Sequence, residues 1–181
     1  MKKLLILPGN GAHNKAWGEA AAEALLPHFD IVYLQHYNHW DTQNAAIDFA
    51  AEIEKISITV EGTDEDEPGD WYVCAKSVGA LLAILAFGGG AIDPLKCVFF
   101  GMPLAMASEG IFKDDWSLLK EFVVPTFAFH NEHDPTADYS FTKEKLDAFA
   151  PAMTFKTLSG STHDYLDFAS YLPDITNFLR S

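Results

Sequence analysis

The sequence has few cysteines, few basic residues and no hydrophobic run long enough to span a membrane. Its two cysteines, Cys74 and Cys97, both lie in apolar, strand-like runs. Isolated cysteines of this kind act as small core residues, and the absence of a disulfide framework favours a cytoplasmic location. The 12 basic against 26 acidic residues give a net charge of −14. This charge argues against nucleic acid and membrane surfaces as partners.

The N-terminal apolar run also gives no sign of a targeting segment. It ends at Pro8-Gly9 after two lysines and a few apolar residues. That is too short for the core of a signal peptide, so we interpret it as the first strand.

Apolar strand patterns alternate with helix patterns along the chain. Strands are predicted near residues 3–8, 30–35, 70–76, 97–101, 125–130 and 153–158. Helices are predicted near residues 15–26, 42–58, 78–87, 115–121, 140–149 and 164–179. This alternation predicts an α/β three-layer sandwich with a mostly parallel central sheet. With 181 residues and no linker, we expect a single domain over 1–181.

The junction between the third strand and the third helix holds the strongest functional signal. The apolar run from Trp71 leads into Ala75-Lys76-Ser77-Val78-Gly79, and a wholly apolar helix follows. Small residues two before and two after Ser77 allow strand and helix to pack around a sharp turn. A serine in such a turn is exposed at the end of a sheet, where its hydroxyl can attack a substrate.

Two later loops supply an acid and a base. Asp134 follows the strand near 125–130 in a polar turn, and His163 follows the strand near 153–158 in the loop before the last helix. A serine hydroxyl needs an imidazole to take its proton, and the imidazole needs a carboxylate to orient it. Asp134 also suits a simple turn before Pro135, so Asp138 and Glu132 remain alternative acids.

These motifs together resemble the α/β-hydrolase superfamily, whose nucleophile elbow reads Gly-x-Ser-x-Gly and whose triad order is serine, acid, histidine. Ala75 replaces the first glycine here. The resemblance implies Ser77, Asp134 and His163 as the catalytic triad. The opening Pro8-Gly9-Asn10-Gly11 is also similar to that of the small, lidless hydrolases of the retinoblastoma-binding-protein type.

The resemblance further implies an oxyanion hole built from two backbone N–H groups. One belongs to the residue after the nucleophile, Val78, and the other to the loop after the first strand. In that loop Asn10 is the predicted donor, with Gly11 as the alternative.

The expected function is therefore a serine hydrolase of carboxylic esters that forms an acyl-enzyme and needs no cofactor. A thioesterase, amidase or acyltransferase would use the same residues, and a non-catalytic scaffold on this fold is the second class of hypothesis. No large lid is predicted, so we expect an open cleft for a modest-sized ester substrate. Apolar side chains that would line it or pack in the core are Leu104, Met106, Ile111, Phe112 and Trp116.

Three features stay open in the sequence. His130 and His133 lie close together but have no third ligand at metal-site spacing, so no metal is expected. The acidic stretch 61–70 lacks apolar periodicity and predicts a solvated loop, with a docking site for a basic partner as the alternative. Lys76 stands directly before Ser77, and the sequence does not say whether it faces the substrate.

Overall fold

The structure is a computed structural model that describes residues 1–42, 46–112 and 115–181. Six strands form one sheet in which every neighbouring pair is parallel, in the order β2-β1-β3-β4-β5-β6. Their bounds are β1 Lys2–Leu7, β2 Ile31–Leu34, β3 Asp70–Lys76, β4 Lys96–Phe100, β5 Thr126–Asn131 and β6 Met153–Leu158. All six strands therefore end at the same edge of the sheet.

Helices cover both faces of this sheet. Their bounds are α1 Lys15–Leu25, α2 Phe49–Asp66, α3 Val78–Gly88, α4 Leu104–Ala107, α5 Ser117–Glu121, α6 Tyr139–Phe149 and α7 Phe168–Arg180. Short 3₁₀ turns occupy Ala12–Asn14, Leu26–His28 and Asn38–Asp41, and a π turn occupies Ser108–Phe112. Side chains of α1 and α7 pack in one core, while those of α2, α3, α5 and α6 pack in the other.

The continuous apolar strands produce this three-layer arrangement. Along β3, Tyr72 and Cys74 point into the core under α1 and α7, whereas Val73 and Ala75 point into the opposite core. Because both faces of a central parallel strand are covered, both must be apolar. The predicted three-layer α/β fold with a parallel sheet and no large lid is confirmed.

The predicted strands agree with the structure to within about two residues, but the second helix does not. The described helix begins at Phe49 rather than near residue 42, because the Asp48 carboxylate accepts a hydrogen bond from the N–H of Ala51 (3.2 Å) and caps it. Residues 43–45 of the predicted range lie outside the described residues. The last helix likewise begins at Phe168 rather than near residue 164, with Asp167 as its N-cap.

The solvated loop predicted over 61–70 is wrong for residues 61–66, which continue α2. Tertiary contacts explain the extension. Thr63 is buried and its hydroxyl bonds to that of Tyr33 (3.0 Å). The carboxylate of Asp64 pairs with the ammonium of Lys3 and accepts a hydrogen bond from Nε1 of Trp71 (3.1 Å). The acidic helix end is therefore attached to β1 and β3.

Within the described residues, no helix is both long and apolar enough to cross a membrane.

The Lys3–Asp64 pair leads to a stability prediction. Lys3 is fully buried, so Asp64→Asn replaces the charged partner of its ammonium group by a neutral amide and leaves the Glu67 carbonyl (2.8 Å) and the Trp71 ring beside it. We expect the free energy of unfolding in urea to fall by about 1–3 kcal/mol, the range for a lost hydrogen bond to a charged group. The control Glu65→Gln removes an exposed carboxylate from the same helix. Equal stability of both variants would contradict the proposed role of Asp64.

Candidate active site

Ser77 occupies a one-residue turn between the end of β3 at Lys76 and the start of α3 at Val78. Its backbone has φ of +54° and ψ of −123°, a conformation that residues other than glycine rarely adopt. The N–H of Ser77 donates to the carbonyl of Phe100 in the adjacent β4 (2.8 Å). This bond ties the strained turn to the sheet.

Gly79 allows the helix to start this close to the sheet. A Cβ at Gly79 would collide with the carbonyl oxygen of Leu7 and lie 2.5 Å from that of Pro8. Ala75, which stands where the superfamily has its first glycine, is completely buried in the core. The extra methyl group at Ala75 is therefore accommodated, whereas one at Gly79 would not be.

His163 and Asp134 are directly paired. Nδ1 of His163 lies 2.7 Å from Oδ2 and 2.9 Å from Oδ1 of Asp134. Nε2 of His163 is buried and has no hydrogen-bond partner in the described part of the chain. Ser77 and His163 line the same cavity, but within the described residues no hydrogen bond joins the Ser77 hydroxyl to Nε2 of His163.

Four donors surround the Asp134 carboxylate. The backbone N–H groups of Thr136 (2.8 Å) and Ala137 (2.9 Å) donate to Oδ1, while His163 and the Tyr165 hydroxyl (2.7 Å) bond Oδ2. Burial alone raises the pKa of Asp134, but the bonds from His163, Tyr165 and the two backbone groups outweigh it and lower the pKa to about 2. The carboxylate is ionised throughout the neutral range.

Tyr165 is a site residue that the sequence analysis missed. Its hydroxyl donates to Asp134 and accepts a hydrogen bond from the N–H of Asn131 (2.9 Å). Its backbone has φ of +51°, and its ring fills the space above Gly101, where a Cβ would lie 2.6 Å from Cε2 of Tyr165. The one sequence signal was an aromatic residue two positions after His163, and that pattern is not specific.

The loop Gly9–Gly11 follows β1 at the edge of the same cavity. Its Asn10 carbonyl oxygen lies 2.7 Å from Nε1 of Trp40 and 2.6 Å from Nε2 of His39. Val78 is the first residue of α3, so its N–H has no partner within the helix. Both predicted oxyanion donors, Asn10 and Val78, line the cavity together with the alternative, Gly11.

The cavity beside Ser77 has a volume of about 510 Å³. Among the apolar residues named from the sequence, Met106 and Ile111 line it, whereas Leu104, Phe112 and Trp116 are buried in the core. Further apolar lining comes from Ile47, Phe49, Leu81 and Ala107. None of the described lining residues is Asp, Glu, Lys or Arg, so the wall combines apolar with neutral polar side chains and carries no formal charge apart from its histidines.

The remaining candidate residues have other positions. Asp138 caps α6 by accepting a hydrogen bond from the N–H of Phe141 (2.7 Å), and Glu132 is exposed. Nε2 of His130 is buried and bonds to the carbonyl of Ala137 (3.0 Å), whereas His133 is exposed. Over the described ranges, no three His, Cys, Asp or Glu side chains are grouped to hold a metal ion.

Comparison with known proteins identifies the fold. Neither a scan against protein-family models nor a search of curated proteins finds a match. Three solved structures each match 99% of this chain. A Pyrococcus furiosus esterase is 14% identical (TM-score 0.79, 82% of its chain covered). A lidless α/β serine hydrolase from Xanthomonas campestris is 16% identical (TM-score 0.74, 81% covered). A Coxiella burnetii α/β serine hydrolase homologue is 14% identical (TM-score 0.72, 84% covered).

At such identities the likeness shows the fold alone, and the chain therefore has the α/β-hydrolase fold without a large lid. The suspected kinship with hydrolases of the retinoblastoma-binding-protein type stays a prediction.

The hydrogen bonds of Asp134 generate a pH prediction. A carboxyl group whose folded pKa is depressed stabilises the fold above its unfolded pKa, near 4, and this contribution is lost as the pH falls through the folded value. With a folded pKa of about 2, Asp134 should contribute about 2 kcal/mol that disappears between about pH 4 and pH 2. Urea unfolding at several pH values across this window should show this loss of unfolding free energy in the wild type and not in Asp134→Asn.

Glu132→Gln is the matched control, because Glu132 is an exposed carboxylate in the same turn. Its pH profile should follow the wild type. Parallel curves for the wild type and Asp134→Asn would show that the carboxylate is not held by these bonds in solution.

Proposed function

We propose that this protein is a serine hydrolase that cleaves carboxylic esters through Ser77, His163 and Asp134. The observation that carries the proposal is the pairing of His163 Nδ1 with Asp134, in a histidine that lines the same cavity as Ser77 and whose Nε2 has no hydrogen-bond partner among the described residues. A histidine held in this way has one tautomer, with its proton on Nδ1 and a lone pair on Nε2. It is ready to accept the serine proton.

In the proposed reaction the hydroxyl oxygen of Ser77 attacks the ester carbonyl while Nε2 of His163 takes its proton. Asp134 orients the ring and stabilises the imidazolium, and the low pKa of Asp134 supports this role because the carboxylate stays charged. The tetrahedral oxyanion accepts hydrogen bonds from the N–H groups of Val78 and of Asn10, or of Gly11. The imidazolium returns its proton to the leaving alcohol, which gives an acyl-enzyme.

Water then cleaves the acyl-enzyme with the same groups. His163 deprotonates the water, a second tetrahedral intermediate forms, and Ser77 leaves with the proton from His163. This sequence uses only side chains and backbone groups of the chain. Thioesters and amides differ in the leaving group and would pass through the same steps.

Labelling with a fluorophosphonate probe tests the nucleophile. We expect one adduct on Ser77 by mass spectrometry, and we expect Ser77→Ala to lose the adduct and to lower ester turnover by at least about a thousandfold. Ser161→Ala, an exposed serine in the loop of His163, should label and turn over like the wild type. A folded wild-type protein without an adduct would refute the hydrolase and favour the scaffold hypothesis.

The uncharged apolar wall predicts the acyl preference. We expect p-nitrophenyl hexanoate to be hydrolysed with a kcat/KM at least about tenfold above that of p-nitrophenyl hemisuccinate, because no Lys or Arg among the described lining residues would pair with the free carboxylate of the hemisuccinate. Phe49→Ala should lower kcat/KM for hexanoate by about tenfold and for acetate by less, since a longer acyl chain can contact more of the apolar lining. Ile58→Ala, on the exposed face of the same helix, is the control.

Equal rates for hexanoate and hemisuccinate would contradict the proposed acyl-binding wall. So would an equal effect of Phe49→Ala on hexanoate and acetate. Neither result would contradict the role of Ser77 as the nucleophile.

A further inference from the structure

Lys76, next to the nucleophile, is a buried cation for which the reaction above has no use. Its side chain is 2% exposed, and Nζ donates one hydrogen bond in the described part of the chain, to Oδ1 of Asn14 (2.6 Å). Burying an ammonium group carries a large desolvation cost. Burial lowers the pKa of Lys76 to about 8, although Asp164 and Asp134 oppose this. The lysine is thus mostly protonated at neutral pH, and the partner that it orients is Asn14.

Asn14 in turn supports the loop that follows β1. It is buried, and both its Nδ2 (3.0 Å) and its backbone N–H (2.9 Å) donate to the carbonyl of Gly11. Its carboxamide also lies against Gly9, where a Cβ would approach Cγ and Oδ1 of Asn14 to 2.8 Å. Asn14 therefore contacts both ends of the loop Gly9–Gly11.

The lysine and the Gly11 carbonyl together fix which way the carboxamide faces. An ammonium group only donates hydrogen bonds, so it selects the amide oxygen of Asn14 and turns Nδ2 towards Gly11. Without Lys76, the Gly11 carbonyl would still select Nδ2, but Oδ1 would be buried without the one donor that it has among the described residues. The lysine therefore stabilises the position of Asn14 in which Nδ2 bonds to the Gly11 carbonyl.

We propose that Lys76 is a positioning residue that acts through Asn14 to hold the Gly9–Gly11 loop where its backbone N–H groups meet the oxyanion. The inference rests on the proposed hydrolase function and adds a residue to it. The side chains of His39 and Trp40 bond to the Asn10 carbonyl of this loop, and Asn14, held by Lys76, bonds to its Gly11 carbonyl. Because preorganised donors act only at a defined distance, a small displacement of this loop lowers the rate of acyl transfer.

The test compares Lys76→Met, which keeps the length of the side chain and removes the donor, with Lys120→Met, which removes an exposed lysine on α5. Fluorophosphonate titration first gives the number of competent sites, so that kcat is expressed per site. We expect Lys76→Met to lower kcat by about 10- to 100-fold while KM changes by less than about threefold. Lys120→Met should match the wild type.

An alkylboronic acid gives a second readout that a purely structural role would not change. The Ser77 oxygen adds to boron and its proton passes to His163, which leaves an anionic tetrahedral adduct with an oxygen at the oxyanion position. We expect its inhibition constant to rise in Lys76→Met by the same factor by which kcat/KM falls. Asn14→Leu should give the same pattern, and the double variant should be no worse than either single one, because both act on one loop.

The outcomes separate the two proposals. A wild type that hydrolyses esters, with unchanged kcat and boronate affinity per site in Lys76→Met, overturns the positioning role and leaves the hydrolase standing. A drop in the number of titrated sites with normal kcat per site has the same meaning, since Lys76 would then serve folding alone. If Lys76→Met does not fold, Asn14→Leu decides, and since Asn14 also lines the cavity, only a fall in kcat with KM unchanged supports the positioning role, because a lost substrate contact would raise KM. A wild type with neither adduct nor turnover overturns the hydrolase, and the role of Lys76 falls with it.

Discussion

The left-handed backbone of Ser77 is the constraint on which the arrangement of the candidate site depends. A residue with φ of +54° between a strand and a helix reverses the chain within one position, and this places the serine at the edge of the sheet. The turn is stable because neighbouring strands hold it. Phe100 of β4 accepts its N–H, and the absence of a side chain at Gly79 lets α3 rest on the last carbonyls of β1. Strain at one residue is offset by contacts from three elements.

The same edge collects the other polar groups because every strand is parallel. The loops after β1, β3, β5 and β6 carry Asn10, Ser77, Asp134 and His163, and they lie side by side in the order of the sheet. Asp134 is the most extensively bonded member, with donors from its own turn and from Tyr165. Under the proposed function, this rigid carboxylate fixes the histidine, and the buried Lys76–Asn14 contact fixes the opposite wall of the cavity.

Much of this arrangement could be predicted from sequence because it depends on local signals. Apolar runs located the strands to within about two residues, and small residues around Ser77 indicated a tight turn. Contacts between distant segments were not predictable. The acidic end of α2 remains helical because Lys3 and Trp71 lie against Asp64. The residues around Asp64 in the sequence do not predict these two contacts. Tyr165 and Asn14 were overlooked for the same reason, since their roles arise from residues 31 and 62 positions away.

The sequence by itself determined the layer order of the fold and the positions of Ser77, Asp134 and His163 at strand ends, because periodicity and turn chemistry are written in adjacent residues. Only the tertiary structure decided that Asp134 and not Asp138 or Glu132 contacts the histidine, and that Lys76 points into the protein rather than towards the cavity. These choices depend on burial and on which donors meet in space. Desolvation and hydrogen bonding act only once the strands have assembled.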